Sequence, residues 1–146
     1  LNTMKAYEIS VNYHTTDKST KKITSSVIID NSIRSWFDDC MEHRERFIAV
    51  YLNRANKIIG IQNIGEGGSS SCVVEIKMIA QGAILSNASS VILAHNHPSG
   101  TLTPSEPDKR ITNKVKEGLR LFDIQLLDHL ILSSEGYYSF SDEGTL

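Results

Sequence analysis

Hydrophobic residues recur along the first part of the chain with two different periods. Over residues 7–13 they alternate with polar residues, which predicts a half-buried strand. The apolar run at residues 23–29 predicts a second strand. Over residues 33–41 the apolar positions instead follow the i, i+3, i+4, i+7, i+8 spacing of one helix face. We therefore expect two strands and a helix here, with the polar segment 14–22 as a loop.

The middle of the chain predicts a β-hairpin followed by a flexible loop. Strand-like runs at 47–52 and 57–64 flank a short polar turn. Residues 65–71 are rich in glycine and serine and predict a loop. This loop is either a plain connector or a segment that moves over a site.

The second half of the chain alternates helices and strands. The apolar spacing predicts, in order, a helix at 73–85, a strand at 91–95, a helix at 105–122, a strand at 124–132 and a short strand at 137–140. Strands this apolar are typical of a sheet covered on both faces. We expect an α/β fold, with a mixed central sheet between helices in a single three-layer domain. We place this domain at 23–146, after a strand and loop extension at 1–22.

Composition narrows the class of protein. The chain has 146 residues, of which 40% are hydrophobic and 22% charged, as in one globular domain. A formal net charge of −2 does not indicate a polyanion-binding protein. No apolar stretch is long enough to span a membrane, and no secretory signal is visible. We therefore expect no membrane partner. Two cysteines are too few for a disulfide framework, so we expect reduced thiols and a cytoplasmic protein.

A pair of histidines ends the predicted strand at 91–95. His95 and His97 are two residues apart, so on a strand both imidazoles project from the same face. Asp108 heads the apolar stripe of the next helix, and an inward carboxylate needs a partner. Two imidazoles and one carboxylate suit a zinc ion that keeps its fourth position for water. We therefore predict a metal site at His95, His97 and Asp108.

Two further residues are candidates for catalysis, and each also has a structural explanation. Ser105 and Asp108 have the spacing of a capping box, which accounts for both residues without a metal. The hydroxyl of Ser105 can also lie beside the metal while the residue begins the helix. Glu75 flanks the apolar stripe of the helix at 73–85 and is our candidate general base. A glutamate in a first helical turn also complements the helix dipole, so both interpretations stay open.

Together these residues resemble a known catalytic motif. A glutamate followed by H-x-H-x7-S-x-x-D is the motif of the JAMM metalloproteases, also called MPN+ or JAB. The matching residues in this sequence are Glu75, His95, His97, Ser105 and Asp108.

A longer likeness points to the RadC branch of these proteins. The segments H-N-H-P-S-G at 95–100 and L-D-H-L-I at 127–131 are similar to RadC sequences. The likeness extends from about residue 23 to residue 144 and includes E-x-F at 45–47. It implies the cytidine-deaminase-like architecture of JAMM domains. The helix-hairpin-helix segment of full-length RadC proteins is not identified here, so DNA binding is not carried over.

The resemblance implies a zinc-dependent hydrolase of amide bonds. One Zn²⁺ per chain would be held by His95, His97 and Asp108, with Glu75 as general base and Ser105 as a donor to the oxyanion. The implied substrate is a peptide or an isopeptide-linked protein. RadC proteins traditionally carry a DNA-repair label, and the alternative is a non-catalytic DNA-processing or protein-interaction module that retains the fold. The oligomeric state is not predicted.

Two other features are open to more than one interpretation. Asp128 and His129 are neighbours in the strand at 124–132, where they form either a pair that orients a metal ligand or a satisfied core pair. Lys109, Lys116 and Arg120 share one helix face. Such a stripe is usually solvated surface, and a nucleic-acid contact is the alternative.

Overall fold

Five strands form one mixed sheet in the order β2-β1-β3-β4-β5. The computed structural model describes residues 3–14, 21–67 and 72–146. The elements in chain order are α1 (Ser26–Ile33), a 3₁₀ helix (Arg34–Phe37), β1 (Arg46–Leu52), β2 (Ile58–Glu66), α2 (Ile76–Leu85), β3 (Ser90–Asn96), α3 (Glu106–Arg120), β4 (Gln125–Ser133) and β5 (Gly136–Ser139).

The connections explain the mixed sheet. β1 and β2 form the expected antiparallel hairpin, and β1 also pairs antiparallel with β3. β3 and β4 are parallel, and the chain between them forms α3, since a parallel pair needs a crossover. β5 returns antiparallel to β4 through a tight turn. β3 therefore lies at the centre of the sheet, and every one of its residues is buried.

Helices cover both faces of the sheet. On one face α2 and α3 pack against side chains of β1, β3 and β4, with Ile79, Val115 and Leu119 at the centre of the contact. On the other face α1 and the 3₁₀ helix supply Ile29, Ile33 and Phe37. Successive side chains of β1 and β3 point to opposite faces of the sheet, so each strand contributes buried residues to both helical layers. The structure thus confirms the α/β, three-layer prediction.

The amino-terminal strands predicted from the sequence are wrong. Residues 7–13 form no strand, and Tyr7 and Ile9 are 86% and 88% exposed. Among the described residues no strand pairs with this segment, and an alternating pattern alone does not form a sheet. The central part of the polar loop predicted at 14–22 lies outside the described residues.

The run at 23–29 contains the start of α1 rather than a strand. Its β-branched residues favour extended chain locally. However, Ile29, Ile33 and Phe37 are spaced by four and are all buried on the same layer, so helical packing decides the conformation. The helix predicted at 33–41 is also wrong in extent, because α1 ends at Ile33 and passes through the 3₁₀ helix into turns.

The remaining elements agree with the sequence prediction to within a few residues. The largest shift is at α2, which begins at Ile76 rather than at residue 73. Of the loop predicted at 65–71, residues 68–71 lie outside the described residues. Among the helices of the described ranges, none is long and apolar enough to cross a membrane.

Candidate metal centre

The site forms where the ends of two strands meet the start of a helix. Phe47 in β1 pairs with His95 in β3, and the two strands are antiparallel. Glu45, two residues before Phe47, therefore lies across from His97, two residues after His95. Because side chains alternate along a strand, all four point to the face covered by α3. Asp108 reaches the same point from the first turn of α3.

The side-chain atoms of these residues converge on one small volume. His95 Nε2 lies 3.2 Å from Asp108 Oδ1, and His97 Nε2 lies 3.2 Å from Asp108 Oδ2. The two Nε2 atoms are 3.0 Å apart, and Glu45 Oε1 is 3.8 Å from His95 Nε2. One atom from each of the four residues lies within 4.8 Å of every other.

These separations fit a zinc ion. Zn–N and Zn–O bonds of 2.0–2.1 Å in a tetrahedron place ligand atoms ~3.3 Å apart. The three distances among His95, His97 and Asp108 are 3.0–3.2 Å, close to that value. The carboxylate of Glu45 lies farther out, within reach of a molecule bound at the centre.

The second nitrogen of His97 is already engaged. His97 Nδ1 lies 2.6 Å from the carbonyl oxygen of Thr101, which can only accept, so Nδ1 donates. A neutral His97 ring then presents a lone pair at Nε2, toward Asp108. The loop after β3 thereby orients the ring as a metal ligand requires.

His95 has a different partner at its second nitrogen. Its Nδ1 lies 2.8 Å from Nε2 of His129, which comes from the neighbouring strand β4. The ring of His129 stacks on Phe140, and the ring of His95 stacks on Phe47. His129 is fully buried, and burial lowers its pKa well below the ordinary value, so the ring is neutral.

The electrostatics of the centre favour a bound cation. Burial opposes ionisation of Asp108, but the imidazoles of His95 and His97 beside it outweigh this effect and hold its pKa well below the ordinary value. The carboxylate of Asp108 beside it raises the pKa of His97, against the effect of burial. Burial raises the pKa of Glu45, and the nearby His95 and His97 offset this only in part.

Ser105 and Asp108 cap helix α3 and also lie at the candidate metal centre, the two interpretations that the sequence left open. Ser105 Oγ accepts a 3.1 Å hydrogen bond from Asp108 N, and Asp108 Oδ2 accepts one of 2.8 Å from Ser105 N. This is a complete capping box at the start of α3. The same carboxylate faces both histidines, so capping and metal binding do not exclude each other. No acceptor among the described residues takes the hydroxyl proton of Ser105.

The structure does not bring Glu75 to this centre. Glu75 is exposed and is the N-cap residue of α2, where its carbonyl accepts from Met78 N and Ile79 N. The sequence prediction placed Glu75 beside the apolar stripe of a helix that begins at residue 73. Because α2 begins three residues later, Glu75 lies at the helix end with its carboxylate in solvent. Glu45 is the glutamate that lies beside the two histidines and Asp108.

The comparisons with known proteins agree with this geometry. A family model described as "RadC-like JAB domain" matches residues 23–145. The chain belongs to the RadC-like JAB family. Within the family match lie all of the residues that form the centre.

Three curated relatives of this RadC-like chain are 39–44% identical to it over the residues matched. A "UPF0758 protein" of Flavobacterium johnsoniae is 39% identical over 124 residues, which are 85% of this chain and 53% of the relative. "UPF0758 protein YfjY" of Escherichia coli K12 is 44% identical over 103 residues, 70% of this chain and 64% of the relative. A "UPF0758 protein" of Streptococcus gordonii is 42% identical over 103 residues, 70% of this chain and 46% of the relative. The chain thus spans less than two thirds of the length of each.

Two residues predicted as a pair have separate contacts. The carboxylate of Asp128 accepts hydrogen bonds from the backbone amides of His129 and Ser141 and from the hydroxyl of Ser139. It therefore organises the turn after β5. The imidazole of His129 instead contacts His95 in the candidate metal centre of the RadC-like domain.

The basic stripe on α3 is partly engaged within the chain. Lys109 forms an ion pair with Glu106, and the ammonium group of Lys116 donates to the carbonyl of Leu146. These contacts favour the interpretation of a solvated helix face.

Sequence reasoning missed Glu45, and it left open whether His129 orients a metal ligand or belongs to a satisfied core pair. The E-x-F likeness at 45–47 was the available signal, because it placed a glutamate directly before a buried strand. What the sequence did not give was the pairing of that strand with β3.

Proposed function

We propose that this domain is a zinc-dependent hydrolase of amide bonds, acting on a peptide or an isopeptide-linked protein. The observation that carries the proposal is the convergence of His95, His97 and Asp108 at tetrahedral spacing with Glu45 beside them. Membership in the RadC-like JAB family supports the same reaction class.

The metal would be held by the two Nε2 atoms and the carboxylate of Asp108. A zinc ion bound there supplies Lewis acidity, which lowers the pKa of a water molecule and polarises a carbonyl group. The fit rests on the donor set, because two imidazole nitrogens and one carboxylate converge at the spacing that a tetrahedral zinc ion requires.

Glu45 moves the proton. Its carboxylate accepts a proton from the attacking water and returns it to the nitrogen of the departing amine, so that one amide and one water give a carboxylic acid and an amine. Burial raises the pKa of Glu45, which suits a group that must both take and give a proton.

Ser105 stabilises the charge that develops on the carbonyl oxygen. Its Oγ accepts a hydrogen bond from the backbone amide of Asp108, and no acceptor among the described residues takes its hydroxyl proton, which is available to donate to that oxygen. The capping box fixes the direction of this donor.

Exchange of the two glutamates for glutamine tests the proposal. Zinc-loaded wild-type protein is assayed against a panel of fluorogenic peptides and of peptides joined through a lysine ε-amino group. We expect Glu45→Gln to lose about 10²- to 10⁴-fold in rate, because a general base contributes on that scale. Glu75→Gln is the matched control and should retain the rate, since the side chain is exposed.

Zinc content is measured on the same samples. Both variants should bind one zinc ion per chain, because neither change alters His95, His97 or Asp108. Equal rates in the two variants would remove Glu45 as the base. A fully zinc-loaded wild type that cleaves nothing in the panel would count against a hydrolase of this substrate class.

A further inference from the structure

A chain of three hydrogen bonds joins two of the proposed ligands through residues that lie behind the metal centre. His95 Nδ1 is 2.8 Å from His129 Nε2, and His129 Nδ1 is 2.6 Å from Thr112 Oγ1. Thr112 Oγ1 in turn donates to the backbone carbonyl of Asp108 at 2.6 Å. His129 and Thr112 are 0% and 1% exposed, so water does not reach these bonds.

The direction of the chain follows from its last member. The carbonyl of Asp108 can only accept, so the hydroxyl of Thr112 uses its proton there. Thr112 Oγ1 then offers His129 only a lone pair, and Nδ1 of His129 must carry the hydrogen. In the neutral ring this leaves a lone pair at His129 Nε2, which accepts from Nδ1–H of His95.

We propose that Thr112 and His129 act as positioning residues that fix the tautomer of His95, with hydrogen on Nδ1 and a free lone pair on Nε2. The inference rests on the proposed metal site, since Nε2 of His95 is the atom that would bind zinc. It assigns a role to two residues that touch neither metal nor substrate.

Thr112 is needed to set the direction of the hydrogen bond between His95 and His129, because His129 alone allows either direction. A carbonyl oxygen, such as that of Thr101 beside His97, fixes a tautomer directly since it can only accept. An imidazole partner can donate or accept at Nε2. If His129 donated, Nε2 of His95 would carry the hydrogen and would face Asp108 Oδ1 as a donor instead of a ligand.

The packing holds the rings in this arrangement. Phe140 stacks on His129 at a centroid distance of 4.9 Å and an interplanar angle of 9°. Phe47 stacks on His95 at 5.5 Å and 11°, and meets the ring of His129 edge-on. A 180° flip of either imidazole would displace the phenyl ring stacked on it. The hydrogen bonds of His95 and His129 are therefore satisfied by the choice of tautomer and not by a ring flip.

Exchange of Thr112 for valine or serine tests the proposal. Valine has nearly the same shape but no hydroxyl, whereas serine retains it. Imidazole ¹⁵N NMR of the metal-free protein reports the tautomer of His95, and competition with a chelator measures zinc affinity. We expect Nδ1–H on His95 in the wild type and in Thr112→Ser.

In Thr112→Val we expect Nε2–H on His95 to become populated and zinc affinity to fall about 10- to 100-fold, as for other partners of metal-binding histidines. A wild-type His95 whose Nδ1 carries no hydrogen would overturn the proposal. So would an unchanged tautomer and zinc affinity in a folded Thr112→Val protein.

A second background separates tautomer control from packing. In His129→Gln the side-chain carbonyl can accept from His95 without needing Thr112. Adding Thr112→Val to this background should then change zinc affinity less than about twofold; the same loss as in the wild-type background would contradict the relay. If wild-type protein takes up no zinc, the proposed hydrolase fails, and the NMR measurement still decides the relay.

Discussion

The side-chain carbonyl of Asn96 accepts a 2.8 Å hydrogen bond from the backbone amide of Arg46, the residue directly after Glu45. Asn96 lies between the two histidines but points to the opposite face of the sheet. Its amide nitrogen donates to the carbonyls of Cys40, Met41 and Arg44, at 3.3, 3.0 and 2.9 Å. The H-N-H segment thus presents two of the proposed metal ligands on one face of the sheet and fixes the loop that carries Glu45 on the other.

This relationship predicts a large effect of Asn96→Asp. The substitution preserves size but places a buried carboxylate against three carbonyl oxygens. We expect the free energy of unfolding at neutral pH to fall by about 3 kcal/mol or more, because the group is fully buried and unpaired. Urea unfolding measures the change.

The matched control for this charge change is Asn113→Asp. Asn113 is exposed on α3, so the same substitution should shift the free energy of unfolding by about 0.5 kcal/mol or less. Similar losses in the two variants would show that Asn96 does not hold the loop through its amide nitrogen.

Two helical glycines predict opposite effects of alanine. A Cβ at Gly82 would overlap the hydroxyl of Tyr51 and the side-chain oxygen of Gln62, so Gly82→Ala should destabilise by about 1–3 kcal/mol despite the better helix propensity of alanine. At Gly118 the nearest atom is Ile76 Cγ2 at 3.6 Å, an ordinary contact. Gly118→Ala should therefore stabilise by about 0.5–1 kcal/mol. Thermal unfolding compares the two, and shifts of the same sign would contradict the close approach at Gly82.

The same tyrosine predicts a pH dependence of stability. Burial raises the pKa of Tyr51 to about 12, above its ordinary value near 10. The native state therefore keeps the proton longer than the unfolded state, and stability is complete below pH ~10 and decreases as the pH rises toward 12.

Tyr51→Phe removes this titration. Between pH 8 and pH 11 the wild type should lose about 1 kcal/mol more than the variant, measured by urea unfolding at each pH. Lysine ionisation is common to both proteins and cancels in the difference. Identical losses in the two proteins would mean that Tyr51 ionises as readily in the native state as in the unfolded chain.

Local patterns predicted the elements that surround the metal ligands. The apolar run that ends at His95 and the stripe headed by Asp108 are both local, so the sequence placed these ligands on a strand end and a helix start. Glu45 depends on the pairing of Phe47 with His95, two residues far apart in the chain, and no local pattern carries that information. Likewise, Thr112 and His129 meet only because α3 packs on β4 beneath the site.

Ser105 allows helix capping to be separated from catalysis. Ser105→Ala removes both the N-cap acceptor and the hydroxyl, so it should cost about 1 kcal/mol of stability, while glycine at an N-cap costs only a few tenths. Ser105→Gly should therefore be nearly as stable as the wild type but should lose about 10²-fold in rate, because the donor to the oxyanion is gone. Ser105→Thr retains both functions and serves as the control. Zinc content, urea unfolding and hydrolysis are measured on all three, and a Ser105→Gly protein with wild-type activity would confine Ser105 to its role as a helix cap.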